Sequence, residues 1–199
     1  MYVTLKEVLK NTRNEKFAVG AFNIHCLEMI PAMIKAAEVK NSPIILQVSP
    51  TTCRYIGFKL LVNVVKTLAE QVNVNVALHL DHTKDFETIK EAIDNGFSSV
   101  MIDSSALPLE ENIVKTRQVV EYASEYGVSV EAELGTIGGT EEGVAVNEGK
   151  IKYTSPEDAV KFIEATGIEA LAIAIGTSHG QFKSKAKISF DVLKNNHDA

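Results

Sequence analysis

The chain has 199 residues, 45% of them hydrophobic, with 20 basic side chains against 26 acidic ones, a net charge of −6 and no tryptophan. Apolar content of this order excludes disorder, the lack of any apolar run of about 18 residues excludes a spanning helix, and the lack of a Lys/Arg cluster argues against a nucleic-acid surface. Cys26 and Cys53 are too few for a disulfide framework and residues 1–10 lack the apolar core of a secretory signal, so a reducing cytoplasm is the expected compartment.

In chain order, the β-branched run AVGAFNI (18–24) is followed by LEMIPAMIKAAEVK (27–40), whose apolar residues recur at helical spacing. The same pairing repeats with PIILQVS (43–49) and KLLVNVVKTLAEQV (59–72), and again with VNVALHLDH (74–82) and DFETIKEAIDNG (85–96). SVMIDSS (99–105) precedes LEENIVKTRQVVEYASEYG (109–127), SVEAELG (129–135) precedes a long Gly-rich stretch, and ALAIAIG (170–176) precedes FDVLKNN (190–196). Asn95-Gly96, Gly127 and Gly167 fall just past helical patterns, where a left-handed cap ends a helix, while Pro108 and Pro156 fall near helix starts. Strictly alternating β and α units predict a parallel sheet, either an open doubly wound sheet or a closed barrel.

The strand ends separate the two. Asn23, Ser49, Asp81, Asp103 and Glu133 close five consecutive runs, and all are polar. An open sheet has one crevice at its switch point, whereas a barrel brings every strand tip to one mouth. The expectation is therefore a TIM (β/α)8 barrel of the α/β class. About six units are present in a single incomplete domain spanning 1–199, against the eight units and roughly 250 residues of a complete barrel.

HLDH (79–82) sets a carboxylate and two imidazoles at the end of an apolar strand, where burial without partners is costly. Strict alternation points Asp81 and His82 to opposite faces, so both reach one site only where the strand breaks. IGTSHG (175–180) adds His179 from a non-adjacent strand, as an imidazole metal site requires. A catalytic zinc takes three protein ligands, and His25, His79 and His197 are poor third ligands by position. Glu131 and Glu133 share one strand face and need a cation or donors to neutralise them. The stretch 136–153 is long for a βα connection and reads either as a mobile active-site loop, with Glu141 and Glu142 as acid/base groups, or as a solvated acidic loop. Cys53 lacks a paired base and reads as structural, and no Walker or GxGxxG pattern is present.

The motifs AFNIH (21–25), HLDH (79–82), GFSSVMIDSS (96–105), LPLEENI (107–113), VSVEAELGTIGG (128–139) and YTSPEDAVKFIEATGIEALAIAIGTSHG (153–180) resemble the class II, metal-dependent ketose-bisphosphate aldolases. Within that family the chain is most similar to the tagatose-bisphosphate subgroup, with the fructose-bisphosphate enzymes close behind. The resemblance implies a barrel that splits a ketose 1,6-bisphosphate into dihydroxyacetone phosphate and glyceraldehyde 3-phosphate, with Zn2+ and a second divalent or monovalent cation as cofactors. It implies His82 and His179 as catalytic zinc ligands, Asp103 and Glu133 as residues that hold a second or alternative metal position, and Asp81 and Glu141 as the catalytic acid/base pair. Gly180, Asn23 and Ser49 are implied as substrate-binding residues. The family's third zinc-binding His on strand seven and its Asn-x-x-Thr-Asp phosphate stretch on strand eight do not occur in the sequence. An inactive aldolase-like scaffold or subunit is therefore the alternative reading, and a phosphate-handling epimerase a further one. The expected partners are a sugar bisphosphate and further copies of the chain, as dimer or tetramer, or an accessory subunit, with no nucleic acid and no membrane.

Overall fold

The alternating pattern folds as two kinds of element that cover each other's apolar faces. The computed structural model describes residues 1–141, 144–146, 152–180 and 187–199, with side chains for 1–137, 152–180 and 187–199. In chain order the first elements are α1 (Leu5–Leu9), α2 (Thr12–Glu15), β1 (Gly20–Asn23), α3 (Met29–Lys40), β2 (Ile44–Val48), α4 (Pro50–Ile56), α5 (Phe58–Ala69), β3 (Val76–Thr83), α6 (Phe86–Asn95) and β4 (Ser99–Ile102). They are followed by α7 (Leu109–Tyr126), β5 (Ser129–Leu134), β6 (Gly138–Glu141), β7 (Val144–Val146), α8 (Pro156–Thr166), β8 (Ala170–Ile173), β9 (Ser178–His179) and α9 (Phe190–Asp198).

The main sheet has six strands in the order β1-β2-β3-β4-β5-β8, and its first three pairings are parallel. This is the α/β architecture expected of six units of a (β/α)8 barrel. A second sheet of three short strands has the order β7-β6-β9: β6 and β7 lie in the stretch 136–153 read from the sequence as a loop, and β9 in the IGTSHG segment read as the end of the sixth strand.

Contacts divide the chain into one unit of residues 1–102 and 119–131 and another of 103–118 and 132–199. In the first, Leu46, Val48, Leu78, Leu80 and Val100 are fully buried on β2, β3 and β4. Leu61, Val65 and Ala69 of α5 and Ile89, Ala92 and Ile93 of α6 recur at i, i+3 or i+4 and are buried likewise. Each such leucine or isoleucine contributes about 1.5–3 kcal/mol relative to exposure. Helix ends follow local chemistry: Asp85 Oδ1 accepts the Thr88 N–H at 2.8 Å to start α6, and Gly96, at φ 98°, ends it by donating its N–H to the carbonyls of Ala92 and Ile93. Helix α4, absent from the sequence-based expectation, starts the same way, with Ser49 as cap and Pro50 in its first turn.

In the second unit, the end of β5 is tied to the segment before α8 and to the end of β8. Thr154 Oγ1 donates to the Leu134 carbonyl at 2.5 Å, and the Ala174 N–H donates to the same oxygen at 3.2 Å. Gly135 follows at φ 89°, where an added Cβ would stand 2.6 Å from the Ala174 Cβ and 2.7 Å from the Lys152 carbonyl. Only glycine fits this turn.

Candidate metal and acid–base site

The tip of β3 departs from regular pairing. Leu80 pairs with Val100 and Thr83 with Ile102, so Asp81 and His82 together stand opposite the single residue Met101. This is a β-bulge, which adds a residue on one strand and resets the alternation of side chains. His82 takes up the extra residue in the left-handed region, at φ 47°, at a cost of about 1–3 kcal/mol for a residue other than glycine. The conflict seen in the sequence is thereby resolved inside the strand. Asp81 is buried, and Asn23 Nδ2 donates to its Oδ2 at 3.4 Å.

Asp103 follows β4 directly. Its Oδ1 accepts both the Ser105 backbone N–H at 3.1 Å and the Ser105 hydroxyl at 2.7 Å, which fixes the carboxylate's orientation. Glu133 is buried on β5. Its backbone carbonyl accepts from Asn112 Nδ2 at 3.0 Å, and Asn112 Oδ1 accepts from Thr116 Oγ1 at 3.1 Å. Asn112 and Thr116 are buried and support the strand that carries Glu133. The motif reading passed over their role, although polar residues four apart in a helix that also buries Ile113 and Val119 are a legible sign of an internal hydrogen-bond partner.

Among the described residues, His82, Asp103 and Glu133 form one group whose ligand atoms all lie within 4.8 Å of one another. One imidazole and two carboxylates are ordinary zinc donors, and three protein ligands leave a position for substrate, so the donor set fits a catalytic zinc. His179 is not in this group: it lies half-buried in β9, where its backbone is in register with Gly139 of β6. Gly180 follows it at φ 76° beside open space. Ser49 Oγ accepts the Thr52 N–H at 3.4 Å as the cap of α4. Glu141 ends β6, but its side chain, and all of Glu142, lie outside the described residues. His25 is exposed, and His197 sits in the last turn of α9.

His79 and Glu131 form a separate pair. Ser99 Oγ is 2.7 Å from His79 Nδ1, and Glu131 Oε2 is 3.5 Å from His79 Nε2. Glu131 thus lies against an imidazole, while Glu133 joins the three-residue group; the sequence reading had treated both as awaiting a cation or donor. Burial pushes the His79 imidazole down to about 4, with Asp81 opposing the shift and His82 adding to it, so His79 is neutral at physiological pH. Burial likewise pushes the Cys53 thiol up to about 12, which makes it unreactive.

Fold and donor set together define a barrel-type α/β enzyme whose β3 tip presents a carboxylate and an imidazole in succession. Residues 3–199 match the family model of class II fructose-bisphosphate aldolase, and the chain belongs to that family. It is accordingly a carbon–carbon lyase. It is 49% identical over 199 residues to the fructose-bisphosphate aldolase of Geobacillus stearothermophilus, covering 98% of this chain and 69% of the relative. A fructose-bisphosphate aldolase of Staphylococcus aureus is 48% identical over 195 residues, covering 96% and 68%. Of solved structures, the YdjI aldolase of Escherichia coli K12 superposes with a TM-score of 0.86 at 32% identity, covering all of this chain and 69% of the other. The fructose-bisphosphate aldolase of Campylobacter jejuni gives 0.82 at 28% identity, covering 99% and 65%. No helix among the described residues is long and apolar enough to cross a membrane.

Proposed function

We propose that the chain catalyses the reversible, zinc-dependent aldol cleavage of fructose 1,6-bisphosphate. The names of its relatives favour fructose over the tagatose epimer. The observation that carries the reading is the β3 bulge, which presents Asp81 and His82 in succession, with His82 grouped with Asp103 and Glu133. His82, Asp103 and Glu133 would hold one ion, and His82 with His179, by their match to the family motif, are proposed for a second, alternative position. A divalent ion held there supplies Lewis-acid stabilisation of the charge that develops on the dihydroxyacetone phosphate half.

Asp81 takes the proton from the C4 hydroxyl as the C3–C4 bond breaks, leaving the aldehyde at C4 and the electron pair on C3. Burial and the Asn23 amide hold its carboxylate in place. Glu141 then returns a proton to C3, and in condensation both transfers run backwards. Asn23, Ser49 and Gly180 contact the substrate. The same reading makes the enzyme a cytoplasmic homo-oligomer.

The test is a coupled cleavage assay of the purified chain on fructose and tagatose 1,6-bisphosphates, with EDTA treatment and zinc add-back. Turnover of the fructose ester that EDTA removes and zinc restores is the expected result. Turnover untouched by EDTA, or absent with zinc present, refutes the proposal.

A further inference from the structure

Strand β3 also carries a buried imidazole that the proposed reaction does not use. His79 is 2% exposed, and both of its ring nitrogens face a partner. A neutral imidazole has one donor and one acceptor nitrogen. A lone pair at Nε2 would repel Glu131, so Nε2 carries the proton and Nδ1 accepts the Ser99 hydroxyl. The ring is thereby set with its N–H turned to the Glu131 carboxylate.

Glu131 stands two residues before Glu133, so the two side chains share one face of β5. The grouped ligands include Glu133 and not Glu131. A further carboxylate would enlarge the share of hard oxygen donors and favour Mn2+ over Zn2+. We propose that His79 and Ser99 set the metal preference of this site by holding Glu131 out of the ligand set. Ser99 orients the ring, the ring engages the carboxylate, and the group keeps one imidazole and two carboxylates. His79 and Ser99 are positioning residues here, since neither touches the ion. The inference rests on the metal-centre reading given above.

The experiment measures Zn2+ and Mn2+ affinities by chelator competition on the full chain, with circular dichroism as the check on folding. Wild type is compared with His79→Leu, Ser99→Ala and the double variant His79→Leu/Glu131→Gln. His79→Leu is expected to raise Mn2+ affinity relative to Zn2+ by about tenfold, the scale on which residues behind metal ligands act. Ser99→Ala moves the ratio the same way by less, and the double variant returns it to the wild-type value. An unchanged ratio in both single variants, or a change that Glu131→Gln does not reverse, overturns the inference while leaving the metal centre intact. Failure of the wild type to bind either ion overturns the metal centre and this inference together. Should His79→Leu fail to fold, Ser99→Ala against Ser99→Ala/Glu131→Gln makes the same comparison.

Discussion

The tips of β2 and β3 are built from the same unit, a parallel strand running into a helix, yet they use their polar residues differently. At β2 the strand ends regularly at Val48, and the next residue, Ser49, caps α4. At β3 the strand runs three residues past the last regular pair at Leu80, bulging at Asp81 and His82 before Thr83 pairs with Ile102, and leaves the capping of α6 to Asp85. Moving the cap downstream keeps Asp81 and His82 out of helix initiation, and the left-handed His82 is the cost of presenting both. A polar residue at a strand tip can thus carry a structural task beside a proposed functional one, and its local hydrogen bonds decide how it is presented.

The sharpest way to break this comparison is Asp81→Asn. It keeps the size of the side chain and removes the base, so kcat for cleavage should fall by about 100- to 10,000-fold with zinc content unchanged. Loss of zinc, measured by atomic emission, would make Asp81 a ligand instead. The next effect is on stability against pH. The unfolded chain protonates His79 near 6.5, whereas the folded chain resists protonation down to about 4. The unfolded state binds the extra proton in that window, so stability declines as pH falls from 6.5 towards 4, by roughly 3 kcal/mol from this residue. Urea midpoints at pH 7.5 and 5 should differ less in His79→Gln than in wild type.

Smaller effects test the two caps. Ser49→Ala and Asp85→Ala should each lower the unfolding free energy by about 1 kcal/mol, but only Ser49→Ala should also raise KM. Equal KM values would confine Ser49 to its helix. A comparably small stability effect is expected from His82→Gly, which relieves the left-handed backbone by about 1 kcal/mol while removing a proposed metal ligand. A melting temperature of the metal-free variant at or above wild type, together with weakened zinc binding, would show that the β3 tip gives up stability for its site.

Much of this was legible in the order of residues. Periodicity located the six strands of the main sheet and the helices between them, because burial on one face imposes a local repeat; Gly96, Gly127 and Gly167 take the left-handed conformations expected of them for equally local reasons. The strand-tip rule singles out Asp81, Asp103 and Glu133 from the sequence alone, and the last two are the carboxylates that group with His82. The histidines offer no third zinc ligand by position; the donors grouped with His82 are Asp103 and Glu133, which the resemblance already assigns to a metal position, and their approach depends on pairing between strands far apart in sequence.

By itself, then, the sequence determined the α/β class, the strand and helix succession and the residue types at the mouth, since each depends on spacing within a dozen residues. Strand pairing, by contrast, settles that β3 bulges, that Glu131 lies against His79 while Glu133 groups with His82 and Asp103, and that part of the stretch read as a loop pairs as a small sheet. These are set by register against neighbouring strands, and register is a property of pairs of segments that no single segment carries.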